Sequence, residues 1–252
     1  MKNYHTHTTR CMHAIGSEEE YILAAISAGY TELGFSDHTP WHYESGYHAT
    51  MRMDESQLED YVHTLSVLRD KYKDKISIKI GLECEYFEDK MEWLKEQLEK
   101  YKLDYIILGN HFDGSDETGI YYGHPVSLEE LKRYVSQVIK AMDTGLFSYV
   151  AHPDVVFYDE KNQEHIDELE KICIHAAEID MPLEFNLLGY KAMRHYPSQT
   201  FIDLCKKHHN RIIIGTDAHE PSALKDTKTY NCAYAYLKES GLEITEDIKM
   251  LR

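Results

Sequence analysis

Short apolar and β-branched runs alternate along the chain with longer stretches in which apolar residues recur every three or four positions. Runs of the first kind are typical of strands, and stretches of the second kind are typical of amphipathic helices. Seven strand-like runs are present, at residues 2–7, 31–37, 76–85, 103–110, 147–152, 181–186 and 211–217, and we identify no eighth. The alternation predicts repeated strand and helix units around a mostly parallel sheet.

The helical stretches carry signals for their own ends. Three begin with a capping box or its aspartate variant: Ser17 with Glu20, Asp54 with Gln57, and Ser127 with Glu130. In the fourth stretch, apolar residues between Leu128 and Met142 share one face, and Gly145 follows as a predicted C-terminal cap. Residues 41–53 form the longest irregular stretch between units. We interpret them as a long connection, with a lid or substrate loop as the alternative.

Composition and charge narrow the class of protein. No linker divides the 252 residues, so we expect a single domain spanning residues 1–252. The formal net charge is -17, from 44 acidic and 27 basic residues, which argues against nucleic acid or a membrane surface as partner. We find neither a targeting pattern nor an apolar run near the roughly 20 residues of a membrane span. We expect a soluble cytoplasmic protein that acts on a small molecule, in an oligomeric state that the sequence does not reveal.

Each strand-like run ends on side chains that can bind metal ions. In order they are His5 and His7; Asp37 and His38; Glu83 and Glu85; Asn110 and His111; His152 and Asp154; Asn186; and Asp217 and His219. Barrel enzymes place their chemistry at the carboxyl ends of parallel strands, so we expect these side chains to meet. In His5-Thr-His7 the two-residue period of a strand directs both imidazoles to one face. Nitrogen and carboxylate ligands without sulfur suit Zn, Mn or Fe, and more ligands are available than one ion can use.

The motifs that contain these residues resemble a known superfamily. They are HTHTTRCMHA (5–14), SDHTP (36–40), GLE (81–83), GNHF (109–112), AHPD (151–154) and GTDAH (215–219). In identity and order they resemble the polymerase and histidinol phosphatase (PHP) superfamily, especially its histidinol-phosphate phosphatase branch, over nearly the whole chain. The resemblance implies an α/β fold, a distorted seven-stranded (β/α)7 TIM-like barrel, with three transition-metal ions.

The resemblance also implies how the ligands divide among the ions. The first ion would be bound by His5, His7, Glu83 and Asp217, and the second by Glu83, His111 and His152, with Glu83 shared. The third would be bound by His13, His38 and His219. The assignment of His13 depends on the resemblance alone, because this residue lies in a loop beyond the first strand-like run.

A cluster of this kind predicts hydrolysis of a phosphate monoester by a metal-bridging hydroxide. The best substrate prediction is L-histidinol phosphate, converted to L-histidinol and phosphate in histidine biosynthesis. A phosphodiesterase or nuclease, or a phosphotyrosine-protein phosphatase, on the same cluster is the alternative, although the acidity of the chain argues against polynucleotides. A non-catalytic metal-binding domain is a third possibility.

Basic residues on the rim are expected to contact the phosphate, because guanidinium groups pair well with phosphate oxygens. The candidates are Arg194, which we prefer, and Arg10, Lys191 and Arg52. Asp37, His42 and His195 are candidate proton donors to the leaving group, and the sequence does not separate them. Segments 155–160 and 188–191 depart from the pattern of the histidinol-phosphate phosphatase branch. The motifs therefore predict the reaction class better than the substrate.

Overall fold

A computed structural model describes residues 1–251 of the chain. Its strands form two parallel sheets. The first has the order β1-β2-β3-β4, with β1 at Lys2–Asn3, β2 at Glu32–His38, β3 at Ser77–Cys84 and β4 at Tyr105–Leu108. The second has the order β5-β6-β7, with β5 at Leu183–Asn186, β6 at Arg211–Gly215 and β7 at Glu243–Thr245. The predicted parallel α/β architecture is confirmed.

Residues 147–152, predicted as the fifth strand, lie between the two sheets without forming a continuous strand. Val150 makes isolated parallel bridges to Leu108 on one side and to Leu183 on the other. Pro182 has no N–H to donate, so the ladder between this segment and β5 cannot extend toward its start. A further isolated bridge joins Thr6 to Ala218. The architecture is thus a curled four-stranded sheet and a three-stranded sheet, linked by bridges.

One strand was missed from the sequence. β7 pairs in parallel with β6, from Arg211 opposite Glu243 to Ile213 opposite Thr245. With only three residues, β7 is too short for its alternation of apolar and polar positions to be recognised. We identified no eighth strand-like run in the sequence, and this prediction was wrong for residues 243–245.

Nine α-helices occupy the connections within the described residues. They are α1 at Glu18–Ser27, α2 at Leu58–Tyr72, α3 at Met91–Tyr101, α4 at Leu128–Asp143, α5 at Gln163–Glu178, α6 at Leu187–Lys191, α7 at Gln199–Lys207, α8 at Pro221–Lys225 and α9 at Thr227–Glu239. All three predicted capping boxes are present. Ser127, for example, receives a hydrogen bond from Glu130 N, while the Glu130 carboxylate accepts one from Ser127 N at 2.6 Å.

The predicted apolar face of α4 is buried. Leu131, Val135, Val138 and Met142 are each at most 1% exposed and form part of the main core with the facing residues of α5. Gly145 follows the helix with a φ of +66°, the left-handed conformation typical of a residue beyond a helix C-terminus. The apolar pattern and the C-terminal cap predicted for α4 therefore agree with its observed packing.

A second, smaller apolar cluster lies among the strands. It is formed by Tyr4, Tyr105, Ile107, Tyr149, Ala151 and Ile213. The register of the first sheet places His38 opposite Glu83 and Glu83 opposite Ile107, so the ligand-bearing residues are level with one another. This apolar cluster thus supports the strand ends that carry His38 and Glu83.

Residues 41–53 form an irregular connection whose two ends are packed against the body of the protein. Trp41, Arg52 and Met53 are each at most 2% exposed. Residues 42–48, between these ends, are partly or fully exposed.

Among the helices of residues 1–251, none combines the length and the apolar character needed to cross a membrane.

The packing of α5 can be tested with two isoleucines on opposite faces. Ile172 is 0% exposed and Ile174 is 40% exposed. Ile172→Ala leaves a cavity in the core and is expected to lower the free energy of unfolding by about 2–5 kcal/mol. Ile174→Ala, the matched control, is expected to change it by less than about 1 kcal/mol. Urea unfolding followed by circular dichroism measures both, and equal losses would contradict the packing.

Candidate metal centre

The nine predicted metal ligands converge at the carboxyl ends of the strands. His5 and His7 follow β1, His38 ends β2, Glu83 lies in β3, His111 follows β4, His152 ends the bridging segment, and Asp217 and His219 follow β6. His13 reaches the same place from the loop after the short 3-10 helix Thr9–Cys11. All except His13 and His219 are buried. Residues far apart in sequence thus form one cluster.

Four donor atoms form a first group. His5 Nε2 lies 3.5 Å from Glu83 Oε2 and 3.4 Å from Asp217 Oδ1. His7 Nε2 lies 3.5 Å and 3.2 Å from the same two oxygens. Ligand atoms about 2.0–2.2 Å from a tetrahedral zinc ion are separated from one another by roughly 3.3–3.6 Å. The spacing of this group fits one ion.

A second group surrounds the other oxygen of the same carboxylate. Glu83 Oε1 lies 2.8 Å from His152 Nε2 and 3.5 Å from His111 Nε2. The two imidazole rings are tilted against each other with centroids 4.9 Å apart. Glu83 therefore contributes one oxygen to each group and lies between them.

A third group, at the open side, consists mainly of imidazoles. His13 Nε2 and His219 Nε2 are 3.0 Å apart. His7, His38 and His219 each offer a ring nitrogen, and these three atoms all lie within 4.8 Å of one another. Cys11 also approaches His13 and His219. Burial raises the pKa of the Cys11 thiol to about 12, which favours the neutral thiol over the metal-binding thiolate.

Hydrogen bonds on the outer side of the cluster select the tautomers of its histidines. An oxygen acceptor faces Nδ1 of four rings: Glu184 at 2.7 Å from His5, the Cys11 carbonyl at 2.6 Å from His13, Glu85 at 3.3 Å from His111, and the Asp217 carbonyl at 3.0 Å from His219. Carboxylate and carbonyl oxygens can only accept, so Nδ1 carries the hydrogen. The Nε2 lone pairs are left for the cluster, which is the usual arrangement of metal-binding histidines.

Burial and contacts among the side chains shift the pKa values of the cluster. Burial alone would raise the pKa of Glu83, but His38, His111 and His5 hold the pKa of this carboxyl well below its usual range. Burial, opposed by Glu83, lowers the pKa of His38 to about 4. For His7, burial is outweighed by Asp217 and Asp37, which raise its pKa to about 9. Ionised carboxylates and neutral imidazoles are the forms that bind metal ions.

The donor set fits transition-metal ions. Within residues 1–251, no hydrogen bond is made by His5 Nε2, His7 Nε2 or Glu83 Oε2, although all three atoms are buried. Buried polar atoms almost always have a partner, and atoms that converge without one indicate a ligand position. Imidazole and carboxylate donors without a thiolate are typical of transition-metal sites.

Two ligands lie on backbone of unusual conformation. His152 has a φ of +28° and Asp217 a φ of +50°, in a region that residues other than glycine rarely occupy. Such conformations persist where the surroundings hold them. Glu184 accepts a hydrogen bond from His152 N at 2.8 Å, and Asn186 donates to Asp217 Oδ2 at 3.1 Å. These contacts fix the direction of both ligands.

Sequence reasoning did not single out Glu184. This carboxylate is 3% exposed and contacts His5, the His152 backbone and Asn186. Glu184 and Asn186 are two residues apart on β5 and share a face, so the argument used for the first histidine pair would have found them. A Cβ at Gly215 would lie 1.7 Å from Glu184 Oε1, and a Cβ at Gly109 would lie 1.9 Å from Glu83 Oε1. Both glycines make room for a carboxylate.

The four predicted phosphate contacts lie in different places. Arg194 lines the cleft of about 540 Å³ that opens onto the cluster, together with Tyr121 and Tyr196. Lys191 lines a neighbouring cavity and pairs with Asp226 at 2.8 Å. Arg10 is held by Glu18 and Asp60. The structure brings Arg194 to the cluster and directs Arg10 to other partners.

Arg52 does not face the cleft, which corrects the expectation that it contacts phosphate. Its side chain is 0% exposed, and its guanidinium group donates to Glu85, Asp116 and the Thr39 carbonyl. The sequence did not reveal these ion pairs, because Glu85 and Asp116 are both distant from Arg52 along the chain.

The three candidate proton donors are also separated by the structure. Asp37 is buried, accepts hydrogen bonds from Thr8 N and Oγ1, and lies 3.5 Å from His7 Nδ1. His42 is exposed and pairs with Glu55 at 2.7 Å. His195 bonds to the Val155 carbonyl at 2.7 Å and stacks on Phe157. Neither His42 nor His195 lines the cleft that contains the cluster.

Comparisons with known proteins identify the family of the chain. The model of the PHP domain matches residues 3–187. A probable histidinol-phosphatase of Deinococcus radiodurans is 26% identical over 232 residues, which cover 86% of this chain and 85% of that protein. The histidinol-phosphatase of Bacillus subtilis is 27% identical over 250 residues, which cover 86% of this chain and 92% of that protein.

A solved structure has the same fold. It is the histidinol phosphate phosphatase of Lactococcus lactis, complexed with zinc, L-histidinol and phosphate. It is 21% identical, with a TM-score of 0.74, over 100% of this chain and 98% of that chain. The family model covers most of the sequence and includes seven of the nine predicted ligands, so this chain belongs to the PHP domain family.

Proposed function

We propose that this protein hydrolyses phosphate monoesters with the help of bound transition-metal ions, and that L-histidinol phosphate is its substrate. The observation that carries the proposal is the convergence of two groups of donor atoms on the two oxygens of Glu83, with a third group of imidazoles beside them. Relatives named histidinol-phosphatase that match along most of the chain support the substrate. The protein would act in the cytoplasm as a single domain.

The three groups of donor atoms would each hold one metal ion. The first would be bound by His5, His7, Glu83 and Asp217; the second by Glu83, His111 and His152; and the third by His13, His38 and His219. Bound divalent cations attract phosphoryl oxygens and lower the pKa of water near them. They would also offset the repulsion between a phosphate and a chain of net charge -17.

The protein's own side chains would bind and orient the substrate. Arg194 Nη1 donates to Tyr196 Oη at 2.7 Å, which directs the guanidinium group along the wall of the cleft. Its remaining N–H groups can contact phosphate oxygens. Tyr121 and Phe112 line the same cleft and would exclude water from the reacting group. Glu184 and Asp37 would keep His5 and His7 in position.

We also infer that the strand positions close into the distorted seven-stranded barrel implied by the family resemblance. The bridges of Val150 to Leu108 and Leu183, and of Thr6 to Ala218, support closure at the ligand-bearing end. β7 pairs with the first half of β6 at the opposite end. This arrangement would bring seven segments around the cluster.

Metal dependence is the first test of the function. Removing metal with a chelator should abolish hydrolysis of L-histidinol phosphate, and adding Zn, Mn or Fe should restore it. His7→Ala should reduce kcat/KM by more than the roughly 10- to 100-fold cost of losing an outer-shell partner. His63→Ala, an exposed histidine of α2, is the matched control and should have no effect.

The same preparation should be assayed on other monoesters, on phosphodiesters and on phosphotyrosine peptides. A preference for diesters or phosphopeptides would overturn the substrate proposal. Bound metal without hydrolysis of any ester would favour a non-catalytic metal-binding domain.

The proposed phosphate contact can be tested separately. Arg194→Ala should lower kcat/KM by about 10- to 150-fold, because a hydrogen bond to a charged group contributes roughly 1.5–3 kcal/mol. Arg211→Ala is the control, since Arg211 pairs with Asp180 at the amino-terminal end of β6. Steady-state kinetics of the metal-loaded variants measures both. An unchanged Arg194→Ala together with a defective Lys191→Ala would assign the contact to Lys191.

A further inference from the structure

A buried arginine lies between two loops beside the cluster. Arg52 belongs to the connection 41–53, and its side chain is 0% exposed. Its Nη2 lies 2.7 Å from Glu85 Oε1, its Nη1 lies 3.0 Å from Glu85 Oε2, and its Nε lies 2.7 Å from Asp116 Oδ2. Glu85 and Asp116 are also buried, with side chains 1% and 2% exposed. We call Arg52, Glu85 and Asp116 the arginine clamp.

The clamp reaches a proposed metal ligand through Glu85. Glu85 Oε1 accepts hydrogen bonds from both Arg52 Nη2 and His111 Nδ1, the latter at 3.3 Å. Glu85 Oε2 accepts from Trp41 Nε1 at 2.9 Å. An ionised carboxylate held on this side requires the hydrogen of His111 to be on Nδ1. His111 Nε2 is then free to face Glu83 Oε1, 3.5 Å away.

The clamp also reaches the loop that follows β4. Asp116 Oδ1 accepts a hydrogen bond from Tyr43 Oη, and the Asp116 carbonyl accepts one from Tyr47 at 3.4 Å. His111 begins the same loop, and Phe112 and Tyr121 from it line the cleft. The connection 41–53 and the loop after β4 are therefore joined by charged contacts that end on His111.

Stability alone does not account for such a network. Removing charges from water costs several kcal/mol per ion, and well-packed apolar residues are often as stable as a buried ion pair. Two carboxylates against one guanidinium also leave an excess of negative charge beside the cluster. What the clamp provides beyond an apolar contact is a fixed, directional acceptor for His111 Nδ1.

We propose that Arg52 is a positioning residue, which holds Glu85 against His111 and so prepares the second metal site. The inference depends on the proposed role of His111 as a metal ligand. It replaces the phosphate contact that we expected of Arg52 from sequence. Arg52 is buried and does not line the cleft, so it would act through Glu85.

The test is a zinc titration of the metal-free protein in competition with a chromogenic chelator. Arg52→Lys keeps the charge but loses the two-pronged contact with Glu85, and Glu85→Gln keeps the shape but loses the charge. Each should weaken one of the bound ions by about 10- to 100-fold and leave the other ions unchanged. Arg69→Lys is the matched control, because Arg69 pairs with Asp104 at the opposite end of the strands, and it should change no ion.

Two results would overturn the inference. One is unchanged affinity for every ion in Arg52→Lys and Glu85→Gln. The other is a parallel loss of all ions that follows a loss of stability in urea, which would indicate a purely structural role. Because zinc binding is measured without substrate, the result stands apart from the proposed function: a selective defect in a protein that hydrolyses no phosphate ester would support the clamp and refute the phosphatase.

Discussion

The arrangement of the candidate metal centre depends on one buried carboxylate. Glu83 is 1% exposed and lies near the carboxyl end of β3, an inner strand of the first sheet, where its two oxygens face different groups of histidines. A bare carboxylate at this depth would carry a large desolvation penalty. Cations held between its oxygens and the histidine nitrogens from other segments would offset this penalty, and Gly109 leaves the space that the side chain occupies. The fold is therefore constrained to bring those segments together.

A second set of contacts, made on the outer side of the cluster, fixes the orientation and tautomer of its histidines. A neutral imidazole can carry its lone pair on either nitrogen, and the hydrogen bond that one nitrogen makes determines which nitrogen carries it. Glu184 and Glu85 remove this freedom for His5 and His111, and backbone carbonyls do so for His13 and His219. The inner ligands thus depend on outer acceptors that lie on different strands and loops.

The sequence predicted the parallel architecture, the helix caps and the meeting of eight of the nine candidate ligands, because each depends on local sequence patterns or on the shared direction of parallel strands. His13, in a loop, was predicted from the family resemblance alone. The errors of the sequence predictions have physical causes. β7 is too short to show a period, and residues 147–152 are limited by Pro182. The pairing of Arg52 with Asp116 joins two loops, and no local pattern records which distant carboxylate an arginine will meet.

The same difference between local patterns and contacts of distant residues explains why the sequence predicts the reaction class better than the substrate. The donor atoms that would hold metal lie on strands whose geometry is regular, so two-residue spacing was enough to identify His5 and His7. The walls of the cleft come from loops: Tyr121 from the segment after β4, and Arg194 from the segment after α6. Loop side chains are positioned by contacts such as the bond of Arg194 to Tyr196, which follow from the complete fold. Substrate choice therefore depends on the part of the site that local sequence describes least.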